Sequence, residues 1–388
     1  MEVILSEHKW LLIIVMAVIL FFALRYHTKQ NKIRCIQVVT VILTCFSGFR
    51  SWRMGDLFHY CHTFITCNTP GWELEFNSLG DTIGLQLLFR LFGQLGLGFE
   101  VFIFFISAFS AITLGVLVYR YSPSPYWSYV IYIAMGFYLS SMNTLKQTIA
   151  MILIIYSMMA IFERKPLSFI LWTLFASLFH TPSLIFVIAY PFANKKIDSI
   201  YFLLIACMAT IVFRFRDEIV QFGNEIYYVE NMSFEAAETI GTKVIVMILI
   251  LVLALTIRPL RSHDVFYRQL FNIMILAALT QTFSVYDHVF SRLADYFYQF
   301  IILFIPIMLE SGINQAKQFP SHADSIRYWP PKLILLLQIG ITIFSIYFYF
   351  SNVNSSSALL SSFQFFWESN EPSSLDLLAD AIAEYSPF

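Results

Sequence analysis

A short segment near residue 50 carries side chains that could bind phosphate and move a proton. Arg50, Arg53 and Asp56 occur within seven consecutive positions, and Tyr60 follows one helical turn after Asp56. Two guanidinium groups can engage phosphate oxygens in bidentate hydrogen bonds. Asp56 could accept a proton from a sugar hydroxyl or orient one of the arginines. The alternative is an interfacial belt of aromatic and arginine side chains with one salt bridge.

A second polar set opens a later apolar segment. Asn143, Lys146, Gln147 and Ala150 follow the spacing i, i+3, i+4, i+7, which predicts a shared helix face. Asn143 is predicted to cap the N-terminus of that helix. A lysine in the first turn opposes the helix dipole unless an anion also binds there, so Lys146 is a candidate anion ligand. The alternative is a lysine that only extends its ammonium group to the membrane surface.

A histidine and a third arginine lie at the ends of other apolar segments. His180 is followed by Thr181 and Pro182, which are predicted to begin the next helix. A neutral imidazole there could take a proton from an attacking hydroxyl, although a histidine at a helix C-terminus is also favourable without any function. Arg292 begins a late segment, with Tyr296 four residues on, and again places a cation at the positive end of a helix dipole.

The elements that must position these side chains are membrane-spanning helices. The 388 residues are 58% apolar and only 13% charged, whereas soluble domains have about 25% charged residues. The composition therefore predicts an all-α, polytopic integral membrane protein. Apolar runs of about 15 to 20 residues predict about twelve transmembrane helices, at 10–25, 34–49, 99–118, 126–142, 144–162, 167–179, 183–194, 198–213, 243–257, 269–286, 292–310 and 332–350.

The distribution of lysine and arginine predicts the orientation. Fifteen of the 24 lie in one set of loops and nine in the other, so the first set is predicted to be cytoplasmic and both ends of the chain to be outside. Arg50, Arg53, Lys146 and Arg292 are among the nine. Binding a polyanion at the outer face would account for cations on the side that normally lacks them.

The predicted domain organisation is one transmembrane domain with a tail. Residues 1–350 form the domain, which carries periplasmic loops at 50–98 and 214–242. Residues 351–388 form an acidic periplasmic tail with a short amphipathic helix. Within the first loop, the stretch 82–98 has helical amphipathic spacing and is predicted to lie in the membrane interface.

Several classes of function are excluded by what the sequence lacks. It contains no GxxxxGK[ST], GxGxxG, HExxH or DxD motif and no Cys₂/His₂ spacing, so no cofactor or metal site is predicted. The net charge of −1, without a basic block, argues against a nucleic-acid partner. Cys61 and Cys67 share one polar loop and could form a disulfide if that loop faces an oxidising compartment.

Taken together, these groups resemble the EpsG-like family of bacterial polysaccharide polymerases, related in role to Wzy-type O-antigen polymerases. The family has an arginine, an aspartate six residues on and a tyrosine four further, to which Arg50, Asp56 and Tyr60 are similar. Three more motifs are similar in order: Asn-x-x-Arg-Gln-x-x-Ala at 143–150, Phe-His-x-Ser/Thr at 179–183 and Arg-x-x-x-Tyr-Phe at 292–297. The chain departs from the family pattern at Gly55, which is shifted by one position, at Lys146, which replaces an arginine, and at Pro182, which interrupts the histidine turn.

The resemblance implies a GT-C-like glycosyltransferase of the bacterial inner membrane, acting at the periplasmic face. It would transfer a growing glycan from undecaprenyl diphosphate to the terminal sugar of another lipid-linked repeat unit. The implied partners are this lipid-linked oligosaccharide, membrane lipid and a chain-length regulator. In this interpretation the diphosphate is neutralised by Arg50, Arg292 and Lys146, the base is His180 or Asp56, and substrate is positioned by Arg53, Tyr60, Asn143, Gln147 and Tyr296.

Three other functions stay open at this point. An O-antigen ligase also needs arginines and a histidine at the outer face and differs in its acceptor. A metal-dependent GT-C transferase could use Asp56 or the pair Glu73 and Glu75. A flippase or other transporter of lipid-linked oligosaccharide would be expected to line a central cavity with charges rather than one interface.

Overall fold

The computed structural model is all-helical. It describes residues 29–53, 55–74, 83–196, 199–215, 242–255, 265–285, 288–318, 331–355, 363–368 and 372–385, together with positions 17, 18, 21, 218 and 221. About 85% of the structure is helix, and no strand occurs in the described ranges. The all-α prediction is therefore confirmed. Most of the predicted first span, and most of the predicted periplasmic loop at 214–242, lie outside the described residues.

The chain divides into two compact units. The first contains Met1–Ile155, Phe175–Thr181 and Ile343–Phe388, and the second contains Tyr156–Leu174 and Pro182–Thr342. The helices up to residue 177 are α1 Lys29–Gly48, α2 Leu57–Asn68, α3 Ile83–Gln94, α4 Phe99–Tyr121, α5 Pro125–Ala134, α6 Phe137–Asn143, α7 Leu145–Phe162 and α8 Pro166–Ser177. The later ones are α9 Ala189–Ala193, α10 Ser199–Arg214, α11 Thr242–Leu255, α12 Val265–Gln281, α13 His288–Tyr298, α14 Ile301–Gln318, α15 Pro331–Ser355 and α16 Ser374–Tyr385, with 3₁₀ turns at Thr181–Ile188, Thr282–Val285 and Phe366–Glu368.

In the first unit, α1 and α4 pack along each other as an antiparallel pair. Gly115 permits this close approach, because a Cβ there would lie 3.0 Å from Thr40 Oγ1. At one end of the pair, Lys32 Nζ donates a hydrogen bond to the carbonyl oxygen of Ser122 (2.6 Å). The predicted helix at 82–98 is confirmed as α3, which packs between α2 and α4 through Phe89 and its buried aromatic neighbours.

The predicted span 126–142 is broken into two helices. α5 ends at Ala134, and α6 begins after Gly136, whose φ of +82° is a left-handed conformation that favours glycine. Asn352 fills the break, since its amide nitrogen donates a hydrogen bond to the carbonyl oxygen of Ala134 (2.7 Å). Gly136, a glycine inside an apolar helical run, is the sequence signal for this break, and the prediction of one continuous span did not take it into account.

The second unit is organised around α12, which packs against α9, α11, α13 and α14. Asn272 on α12 is fully buried, and its amide nitrogen donates hydrogen bonds to the carbonyl oxygens of Phe192, Ala193 and Lys195 at 3.0 to 3.1 Å. These carbonyls lie at the end of α9, where backbone acceptors have no intrahelical partner. Asn272 therefore caps α9 and joins it to α12.

Some helices have the length and composition of membrane spans. Among the described residues, α4 and α7 are long and apolar enough to cross a membrane, and the bent pair Phe290–Tyr298 and Ile301–Ser311 would add a third if counted as one span. Shorter apolar helices expose large side chains such as Leu167 (69%) and Leu249 (63%). A surface of this kind would be covered by lipid. The number of twelve spans stays a prediction.

The predicted disulfide between Cys61 and Cys67 is wrong. Both cysteines are free and buried in the single helix α2. Six residues of α-helix separate two Cα atoms by about 9 Å along the axis, which exceeds the roughly 7 Å that a disulfide can bridge.

Candidate active site

Arg50 joins the C-terminal ends of two helices. Its Nε donates a hydrogen bond to the carbonyl oxygen of Met142 in α6 (3.1 Å), and its Nη1 donates to the carbonyl oxygen of Ser47 in α1. The last carbonyls of a helix lack intrahelical partners and carry partial negative charge. Nη1 also donates to Ser107 Oγ on α4 (3.0 Å), so one guanidinium, only 2% exposed, fastens three helices.

A small polar cavity lies against the Arg50 guanidinium. It has room for about one water molecule (about 10 Å³). Hydroxyl groups dominate its polar lining, which comes from Ser47, Ser107, Ser110, Tyr132, Tyr138, Ser141 and Thr148. The cavity is too small for a diphosphate. As the structure stands, Arg50 contacts protein groups, and its predicted role in neutralising a diphosphate stays a prediction.

Asp56 and Asn143 form a reciprocal pair next to Arg50. The backbone N–H of Asp56 donates to Asn143 Oδ1 (3.0 Å), and Asn143 Nδ2 donates to Asp56 Oδ2 (3.2 Å). Because Asn143 directly follows Met142, Arg50 and Asp56 hold the same end of α6. Asp56 is exposed and leads into α2, while its Oδ1 makes no hydrogen bond to any described residue. That oxygen can accept a proton from an incoming hydroxyl.

The prediction that Asn143 caps the N-terminus of the next helix is wrong. Asn143 is the last residue of α6, Thr144 follows it, and α7 begins at Leu145. The spacing could not show this break, because Asn143 binds a loop 87 positions earlier instead of the amides that follow it. In the first turns of α7, Lys146 is half-buried, whereas Gln147 and Ala150 are buried. Of these residues Lys146 is the more accessible one for a ligand.

Arg53 lies in the same loop and is half-buried. Its guanidinium packs over the Trp52 ring, 4.3 Å from the centroid, and its Nη2 donates to the carbonyl oxygen of Pro372 (2.7 Å). Tyr60 is half-buried in the first turn of α2, where its backbone N–H donates to the carbonyl oxygen of Asp56 (3.2 Å). The loop therefore brings Asp56 to the end of α6, Arg53 to the carbonyl oxygen of Pro372, and Tyr60 one turn after Asp56.

His180 is positioned by a different pair of elements. It is half-buried between α8 and the 3₁₀ turn that begins at Thr181, as predicted. The backbone N–H of Gly84, at the start of α3, donates to the carbonyl oxygen of Leu178 (2.9 Å). A Cβ at Gly84 would meet that oxygen at 2.9 Å and the Phe179 ring at 3.0 Å, so the glycine permits the close approach of the histidine turn.

Arg292 and Tyr296 belong to the second unit. Both lie on α13, where Arg292 is exposed and Tyr296 is fully buried. Nearby, Phe297 on the same helix packs against Phe186 with ring centroids 5.3 Å apart. Tyr296 is thus part of the core of that unit, and substrate binding by either residue stays a prediction. Glu75, considered above as a metal ligand, lies outside the described residues.

Glu100, Trp52 and Ser374 also belong to this region, although the sequence does not select them as site residues. Glu100, in the first turn of α4, accepts hydrogen bonds from Trp52 Nε1 (2.8 Å) and from the backbone N–H of Ser374 (3.0 Å). No local sequence pattern indicates these contacts, because the bonded residues are separated by 48 positions in one case and by 274 in the other. The only available signal was the sequence Ser373-Ser374-Leu375-Asp376, which is typical of a helix start.

Comparison with known families identifies the chain. The model of the EpsG family matches residues 33–319. The chain belongs to the EpsG family. No curated protein and no solved structure matches it. Membership in the EpsG family indicates a function like that of membrane polysaccharide polymerases. The matched region includes all ten predicted site residues and ends before Phe363, where the described C-terminal residues begin.

Proposed function

We propose that this protein is a glycosyltransferase that polymerises undecaprenyl-diphosphate-linked oligosaccharide repeat units into O-antigen or another surface polysaccharide. It would work in the bacterial inner membrane with its active site on the periplasmic side, with lipid and a chain-length regulator as further partners. The proposal rests on family membership and, within the first unit, on the exposed carboxylate of Asp56, held by Asn143 at the end of α6. No nucleotide or other cofactor is required, because the diphosphate leaving group supplies the energy.

The proposed reaction is a displacement at the anomeric carbon of the donor sugar. Asp56 takes the proton of the acceptor hydroxyl, while the oxygen of that hydroxyl forms the new glycosidic bond with the anomeric carbon. The bond between the anomeric carbon and the phosphate oxygen breaks, and the electron pair leaves with the lipid diphosphate. General-base catalysis of this kind contributes roughly 10²- to 10⁴-fold in rate.

Two cations of the first unit are suited to the leaving group. Arg53 and Lys146 are half-buried, and neither is sealed inside the unit as Arg50 is. Hydrogen bonds to charged groups contribute about 1.5 to 3 kcal/mol each, so two such contacts would hold the diphosphate of the bound donor substantially, before as well as during its departure. Arg50 would act through the end of α6, by fixing Met142 and hence the Asn143 side chain that orients Asp56.

Asp56 is favoured over His180 as the base. Its carboxylate is exposed and one oxygen is available, whereas His180 is half-buried in a turn that packs on α3. Both side chains belong to the first unit, so His180 could alternatively contact the acceptor sugar. Substitution of each residue separately distinguishes the two assignments.

The test is the glycan ladder on a gel from native host cells that lack the gene and carry each variant. Asp56→Asn should collapse the ladder to core plus a single repeat unit, and Asn143→Ala should shorten it. Glu310→Gln, which changes an exposed carboxylate on α14 in the second unit, is the matched control and should leave the ladder intact. A full ladder from Asp56→Asn, at equal membrane levels of protein, would show that Asp56 is not the base. If the wild-type gene restores no ladder but changes single-unit attachment or glycan export, the protein is a ligase or a flippase.

A further inference from the structure

A segment outside the family-matched region holds the loop that carries Arg50 and Arg53. We call residues 363–385 the C-terminal segment; its described parts are 363–368 and 372–385. The backbone N–H of Ser51 donates to the carbonyl oxygen of Gln364 (2.7 Å), and the N–H of Phe366 donates to that of Phe49 (3.0 Å). These two hydrogen bonds flank Arg50, which pairs with Phe365 in an antiparallel bridge.

Aromatic packing fastens the first part of the C-terminal segment. Phe363 is buried and stacks on Phe46 of α1, with ring centroids 5.0 Å apart. Trp367 stacks on Phe365 (4.6 Å) and meets the Phe49 ring edge-on (5.7 Å). The residues on both sides of the bridge are therefore packed as well as hydrogen-bonded, so the backbone of Arg50 has little freedom.

The second part closes a ring of contacts around Arg53. Arg53 donates a hydrogen bond to the carbonyl oxygen of Pro372. Ser374, two residues after Pro372, donates to the Glu100 carboxylate through both its backbone N–H and its hydroxyl. The indole N–H of Trp52 donates to the same carboxylate. The ring is completed by the guanidinium of Arg53 over the Trp52 indole. Arg53 is thus held between an aromatic face and a backbone carbonyl, and both depend on Glu100.

Glu100 has more contacts than its place in the helix demands. An acidic side chain in the first turn of α4 is favourable with the helix dipole. The backbone N–H of Phe99, however, is satisfied by Ser374 Oγ (2.8 Å), so the C-terminal segment caps α4 while Glu100 binds that segment. Removing the carboxylate would leave the Trp52 indole N–H and the Ser374 N–H without their acceptor.

We propose that the C-terminal segment is a built part of the active site and that Glu100 is the positioning residue that docks it. Docking orients Arg53 for the diphosphate of the lipid-linked substrate, so this second step rests on the proposed function. Glu100 itself touches no substrate and acts through Trp52 and Arg53. The docking step is independent of the reaction that the protein catalyses.

Docking is tested by thiol labelling of the full chain in membranes. Leu378, on the docked face of α16, is 7% exposed, and Leu375 on the same helix is 41% exposed. A Leu378→Cys variant should label slowly with maleimide and a Leu375→Cys variant quickly, after subtraction of the labelling of native cysteines. Adding Glu100→Ala should raise the labelling rate of Leu378→Cys about tenfold, towards the rate of the exposed control Leu375→Cys. Glu100→Gln keeps an acceptor oxygen and should leave labelling slow.

Positioning is tested by steady-state kinetics with lipid-linked oligosaccharide extracted from host cells that lack the gene. Glu100→Ala should raise KM about tenfold, the equivalent of one charge-assisted hydrogen bond to substrate, with kcat changed less than about twofold. Glu100→Gln should restore KM. A general loss of fold would lower kcat and the yield of both variants.

The outcomes separate the two steps. Unchanged slow labelling of Leu378→Cys in the Glu100→Ala background would overturn docking by Glu100. Fast labelling with unchanged KM would overturn positioning of Arg53. If the wild-type protein forms no polymer, the proposed function fails, and the labelling experiment alone decides whether Glu100 docks the segment.

Discussion

Replacing Arg50 by alanine removes the side chain that fastens the ends of α1 and α6 to α4. Three acceptors lose their donor: the carbonyl oxygens of Ser47 and Met142 and the hydroxyl oxygen of Ser107. An unsatisfied buried polar group costs about 1 to 3 kcal/mol, so the upper bound is about 9 kcal/mol. Water entering the adjacent polar cavity would satisfy some of them, and we expect a loss of about 3 kcal/mol.

The assay is thermal unfolding of the purified protein, compared between variants. An unfolding entropy of about 2.1 cal/mol/K per residue gives about 0.8 kcal/mol/K for 388 residues, so the midpoint should fall by about 4 °C. Arg50→Lys keeps the charge but loses the forked arrangement of donors, so its unfolding midpoint should lie between those of Arg50→Ala and the wild type. Arg53→Ala is the matched control: the hydrogen bond from Arg53 to the Pro372 carbonyl oxygen is exposed to solvent, so this variant should lower the unfolding midpoint less than Arg50→Ala does.

The result that would refute this reasoning is specific. If Arg50→Ala unfolds within 1 °C of wild type yet abolishes the glycan ladder, Arg50 acts on the substrate and not on the helix ends. If both stability and ladder fall, and the ladder returns when the protein is stabilised at lower temperature, Arg50 acts by holding the site together.

Three further predictions concern Cys61, Gly93 and metals. Burial, together with the nearby charge of Glu100, raises the pKa of Cys61 to about 12. Because the thiolate is the reactive form, maleimide at pH 8 should not label Cys61 in the folded protein but should label it after denaturation. Peptide mass spectrometry distinguishes Cys61 from the exposed Cys207, and modification of Cys61 itself in the folded protein would contradict its burial. Gly93→Ala should lower the free energy of unfolding by about 1 to 3 kcal/mol, measured by thermal unfolding. The reason is that a Cβ at this position would overlap the side-chain amide of Asn68, which donates hydrogen bonds to the carbonyl oxygens of Phe64 and Phe89. An unchanged unfolding midpoint would mean that α2 and α3 pack less closely than this. Polymer formation in isolated membranes should persist in EDTA, and its loss with recovery on adding a divalent cation would support the metal-dependent alternative.

Long apolar helices could be predicted closely from the sequence. The expected spans 99–118, 144–162 and 167–179 correspond to α4, α7 and α8 with ends within three residues. Hydrophobicity over 15 to 20 positions is a strong local signal, and it does not depend on distant contacts. The amphipathic helix of the first loop was predictable for the same reason.

Contacts between distant segments could not be predicted in this way. Asn143 had the spacing of a helix cap, but the side chain that determines its conformation is Asp56, 87 positions away. Cys61 and Cys67 were close in a polar loop, but the loop contains a helix that separates them. The C-terminal segment was predicted to contain a helix, whereas its docking on Glu100 depends on hydrogen bonds across 274 positions.

The placement of Arg50 changes what the outer-face cations mean. An arginine on the side that the positive-inside rule leaves without cations suggested an external anion, but the C-terminal ends of two helices already provide partial negative charge for it. Arg53 differs, because it is half-buried and more accessible than Arg50, and its contacts include the face of the Trp52 ring and the Pro372 carbonyl oxygen. If a polyanion binds this face, Arg53 should therefore contribute more to its affinity than Arg50, and Arg50 more to stability. Measuring KM and the unfolding midpoint for both alanine variants tests this division, and a larger rise in KM for Arg50→Ala than for Arg53→Ala would reverse it.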